Sequence, residues 1–92
     1  MDPRVREAIT EKIEEAISNP SEIGAIMAKL NNMAVSNRED FAFGIAIGRI
    51  YNSFHYQTRR ILKRNATAEE FREFLDVLGQ KSGAIRNAFL QP

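Results

Sequence analysis

One run of residues has the types and spacing to do chemistry. Arg49, Asn52, Tyr56, Arg59, Arg60, Lys63 and Arg64 recur at short intervals, and at 100° per residue they fall on one arc of a helix. Cations grouped in this way suit phosphate oxygens, and a tyrosine among them suits stacking on a base. The same grouping also arises with no partner at all. Cations near a helix C-terminus complement its macrodipole, and an acidic neighbouring helix can neutralise them.

His55 is the single histidine, and the chain has no cysteine. Disulfides, Cys-based zinc sites and thiol catalysis are therefore excluded. No His-x-x-x-His or Glu-x-x-His spacing exists, so no metal ligand set is read. Glu69, Glu70, Glu73 and Asp76 cluster in sequence, but Glu69 and Glu70 suit the first turn of a helix electrostatically. Met27 and Met33 sit at core spacing as gap-fillers. Nucleotide fingerprints, catalytic Ser/His/Asp sets and small-molecule signatures are not found, and no cofactor is expected.

Arg49 and His55 form an Arg-x5-His spacing. It resembles the Arg-x4–6-His motif of HEPN-type ribonucleases, small helical bundles that often dimerise. The resemblance covers seven residues of 92. It implies Arg49 and His55 acting together on an RNA backbone, with Asn52 or Tyr56 as polar neighbours. The chain is shorter than that family, whose motif normally sits on a later helix.

Charge is unevenly spread beneath a net value of +1. Residues 41–64 hold five cations and no acid, whereas residues 1–40 hold eight acids and five cations. The pI of about 8.1 lies below the ~9 typical of dedicated nucleic-acid binders. Neither a signal peptide nor an apolar run of ~20 residues is read. No membrane association and a cytoplasmic setting are therefore expected.

Four helices must position these groups. The first runs from Pro3 to Ser18, capped by Asp2, with Val5, Ala8, Ile9, Ile13, Ala16 and Ile17 as its apolar stripe. The second starts with Asn19 as cap and Glu22 as its capping-box partner. Its stripe is Ile23, Ile26, Met27, Leu30 and Met33, and Val35–Asn37 connects onward. The third, Ser36 to Asn65, opens on a Ser36-x-x-Glu39 box. Its core stripe is expected at Phe43, Ile47, Ile50, Phe54 and Ile61. Phe41, Gly44, Gly48, Tyr51, His55 and Leu62 form a neighbouring seam. Ala42, Ile45 and Ala46 extend the polar arc upstream as apolar surface, so the first half should be buried on nearly every side. The fourth starts at the Thr67–Glu70 box. Its stripe of Phe71, Phe74, Leu75 and Leu78 continues through Ser82, Ile85 and Phe89, which favours one helix across Gly79 and Gly83.

A third helix of ~40 Å needs one long partner or two short ones. The shared spacing Gly44-x-x-x-Gly48 and Gly79-x-x-x-Gly83 predicts a close hairpin with Gly48 facing Gly83, because each interior glycine costs up to ~1 kcal/mol of helix propensity. The reading is a single all-α domain, residues 1–92, a small antiparallel bundle of about four helices around a long third one. Its function is expected to be protein interaction or structure, by self-association through Tyr51, His55 and Leu62 or with another protein. Nucleic-acid binding through the basic arc is the alternative, and a metal-independent ribonuclease comes after it.

Overall fold

The computed structural model describes residues 1–30 and 36–89. Four α-helices run in order, α1 (Pro3–Ser18), α2 (Ser21–Lys29), α3 (Arg38–Leu62) and α4 (Ala68–Asn87). Met33 and Val35, assigned above to the second stripe and to a connection, lie outside the described residues.

Three of the four helices, α1, α3 and α4, begin where a short polar side chain takes up free backbone N–H groups. Asp2 accepts from the Arg4 N–H at 2.8 Å, as expected. Thr67 and Glu70 form the reciprocal box, with bonds of 3.1 and 2.8 Å. The other two boxes differ. Asn37, not Ser36, caps α3, accepting from the Asp40 N–H at 2.9 Å. Asn19 does not cap α2. It closes α1 through its own N–H to the Glu15 carbonyl, and its side-chain oxygen accepts from the Ser21 hydroxyl at 2.6 Å. Pro20 stands at the start of α2 with no side-chain cap. A break of two residues leaves Asn19 serving the helix behind it.

That short break keeps α1 and α2 end to end along α3. Glu7, Ala8 and Glu11 lie by Arg60 and Ile61, and Ala16 and Asn19 by Ala46 and Ile50. Further along, Gly24 and Met27 meet Arg38, Glu39 and Ala42. Both helices thus run antiparallel to α3, and Arg38 donates to the Met27 carbonyl at 3.3 Å. Two short helices together match one long one. Packed against both α1 and α3, α4 runs antiparallel to α3 without a break across Gly79 and Gly83. Arg86 bonds Asp40 at one end (2.6 Å), Phe74 stacks on Phe54 in the middle, and Arg64 bonds Glu70 at the turn. The four helices therefore form three columns.

The core is built from Val5, Ile9, Ile13, Ile23, Met27, Ala42, Ala46, Ile50, Phe54, Phe74 and Ile85. On α3 the fully buried line is Ala42, Ala46, Ile50, Phe54 and Thr58. It shares Ile50 and Phe54 with the expected line but departs from it elsewhere, since Phe43, Ile47 and Ile61 are only half-buried. The small alanines face inward because α1 and α2 approach α3 there, and the bulkier Phe43 and Ile47 flank them. Thr58 is tolerated inside because its hydroxyl donates to the Phe54 carbonyl at 2.8 Å. Ile26 and Leu30 on α2 and Leu75 on α4 are exposed rather than buried.

The glycine hairpin is not formed. Asp40 faces Arg86 and His55 faces Phe71, a register that puts Gly48 opposite Leu78 instead of Gly83. A Cβ placed on Gly44, Gly48, Gly79 or Gly83 would meet nothing within 4 Å. Phenylalanines fill the α3–α4 contact and hold the backbones apart. All four glycines are exposed, so the first half of α3 has an open side.

Candidate functional site: two outward faces of the third helix

The basic arc of α3 is held by packing on its opposite side, through Ile50 and Phe54. Its residues have unequal surroundings. Arg49 is half-buried in a cleft between α1, α2 and α3 that also contains Lys12, Glu15, Asn19 and Glu22. Arg60 lies by Glu7 and Glu11 of α1 and donates to Gln57 at 2.9 Å. The acidic side of α1 thus borders part of the arc. Arg64 lies past the helix end and makes a bidentate pair with Glu70, at 2.8 and 3.1 Å. That guanidinium, with the Thr67 backbone N–H, lowers the Glu70 carboxyl from its ordinary 4.5 to about 2. Arg64 is thereby engaged in fixing the α3–α4 turn. Asn52, Tyr56, Arg59 and Lys63 remain outward and exposed.

Lys63 has a left-handed backbone, φ 58°, as it closes α3. The expected helix extends to Asn65, beyond this turn, because the residue there is a lysine and not the usual glycine.

Arg49 and His55 do not share a cleft. Arg49 faces α1 and α2. The His55 ring lies among Tyr51, Phe54 and Phe71, at centroid distances of 4.9, 5.1 and 6.0 Å. Six residues of helix turn the two side chains well apart, which is the geometric reason.

The seam residues lie along the other outward side of α3, next to α4. Tyr51 is 47% exposed, His55 and Leu62 are half-buried, and Gly44 and Gly48 continue the line. Across the seam α4 contributes Phe71 and Leu75, with Gly79 one turn further on. Leu75 is 46% exposed and opposite Tyr51 in the helix register. Its spacing places Leu75 on the apolar stripe of α4, yet it is exposed. The turn-on-turn match of Tyr51 and Leu75 becomes visible only once the register of the hairpin is known.

Among the described residues no group of three or more His, Asp or Glu side chains could hold a metal ion. No described helix is long and apolar enough to cross a membrane. Comparison with known protein families, with characterised proteins and with solved structures finds nothing that matches this chain. The class defined by the fold is a small all-helical bundle, an architecture that by itself implies no function.

Proposed function

We propose that this protein is a small interaction module that self-associates through the outer α3–α4 face. The observation that carries this reading is the exposed pair Tyr51 and Leu75, facing each other across the seam with Gly44, Gly48 and Gly79 open beside them. Interior glycines weaken a helix, and here they permit no close approach within the chain. A second copy laid on this face could come close to the backbone at those positions. The size also fits. A face about 30 Å long and two helix diameters wide offers roughly 600–800 Å², near the ~800 Å² per partner of a standard interface.

A two-fold arrangement matches each face with itself. Tyr51 then lies at or near its own copy, and a charge there meets a like charge. Sedimentation at rising concentration should give a dimer for the native chain and a monomer for Tyr51→Glu. Both should melt as folded proteins when diluted, since Tyr51 is outside the core. A native chain that stays monomeric at high concentration would end this reading, whether or not another protein uses the face.

A further inference from the structure

We propose that the outward face of α3 also binds single-stranded nucleic acid, with Tyr56 as the stacking platform and Arg59, Arg60 and Lys63 as the phosphate contacts. This face adjoins the α3–α4 seam and does not depend on it.

Tyr56 is 54% exposed in the middle of a well-packed helix. Its ring is therefore presented to solvent from a backbone held in place by the core. It borders a groove lined by Lys12, Arg49, Asn52, Ser53 and Gln57, every one of them polar. Several cations elsewhere are matched, Arg4 with Asp2, Lys81 with Glu14, Arg86 with Asp40 and Arg64 with Glu70, and the others, such as Arg72 on α4, stand apart rather than grouped on one face. Among the described residues no carboxylate pairs with Arg49, Arg59, Arg60 or Lys63 within ion-pair distance. The stretch Phe41–Leu62 holds no acid that could do so from α3 itself.

Charge complementarity selects a polyanion. The exposed ring selects among polyanions, because only unpaired bases have a free face to stack on. Arg49 to Lys63 spans about 21 Å of helix, enough for a few nucleotides. Glu7 and Glu11 border Arg60 on the α1 side and would repel phosphate there. They confine the strand to the flank of Arg60 turned away from α1, which it shares with Tyr56, Arg59 and Lys63.

The test is fluorescence anisotropy of a labelled oligo-dT or oligo-U with the full chain. Three phosphate contacts on a single strand predict about 20-fold weaker binding between about 50 and 200 mM salt. Tyr56→Ala should weaken binding about tenfold or more, and Arg59→Glu more again. Arg72→Gln, which removes an exposed cation of α4, should change affinity less than about twofold; thermal melts confirm that each variant is folded. The dimer-breaking Tyr51→Glu should still bind, so this proposal and self-association fail separately. No binding at low salt, an unchanged Tyr56→Ala, or equal binding of a duplex would each overturn it. Capture by phosphatidylserine vesicles with no capture of oligonucleotide would overturn it too.

Discussion

Phe54 of α3 and Phe74 of α4 lie ring on ring, centroids 4.5 Å apart and planes 9° from parallel, both with no exposed surface. This pair sets the distance between the two longest helices. Phe54→Ala should cost about 3–5 kcal/mol, measured by urea unfolding. A double-mutant cycle with Phe74→Leu should show coupling of about 0.5–1.5 kcal/mol, and two independent effects would contradict the role given to the stack.

Gly83→Ala should stabilise the protein by about 0.5–1 kcal/mol. The added methyl meets open space, and alanine is the better helix former. A lower melting temperature would mean that the backbone at Gly83 is closer to a neighbour than the structure places it.

Lys63→Gly should also stabilise, by up to about 1 kcal/mol. The backbone at φ 58° is costly for a side chain with a Cβ and free for glycine. Lys63→Val should destabilise, since a β-branched residue resists that region most strongly. Thermal melts of the two variants should move in opposite directions.

The Glu70 carboxyl is held at about 2, below its ordinary 4.5, first by Arg64 and then by the Thr67 backbone. A depressed carboxyl contributes stability that is fully present above about 4.5 and lost as pH falls toward about 2. Native protein and Glu70→Gln should differ in stability at neutral pH and converge through that window. A gap that persists undiminished at the acid end would show that the contribution is not ionic.

Local signals in the sequence carried much of this fold. Asp2-Pro3 and the Thr67–Glu70 box start α1 and α4 as read, because each depends on residues within four positions. The choice between Ser36 and Asn37 was not legible, since both are good caps and packing decides the register. Nor was the inward line of α3. Its alanines look neutral in a hydrophobic pattern, and they are buried because α1 and α2 press against that side. The glycine spacing misled for the same reason. A pattern of small residues says that a backbone is bare and does not say which side of the helix faces its neighbour. Tyr51 was legible as a seam residue. Leu75, its counterpart, was not, because an exposed leucine and a core leucine have the same signature in one sequence.

The end-to-end arrangement of α1 and α2 divides the molecule into parts of unequal cooperativity. Helix α2 has nine residues, fewer than an isolated helix needs to persist in water. Among the described residues its helix contacts are with α3 alone, whereas α1 is gripped by both α3 and α4. Ile23 and Met27 are its buried side chains. It should therefore open as a separate unit while the other three helices stay shut, and its amides should exchange with solvent well before those around Phe54. Each opening would uncover Ala42 and the half-buried residues beside it, giving the bundle a second, transient apolar surface at the end of α3 remote from the α3–α4 turn.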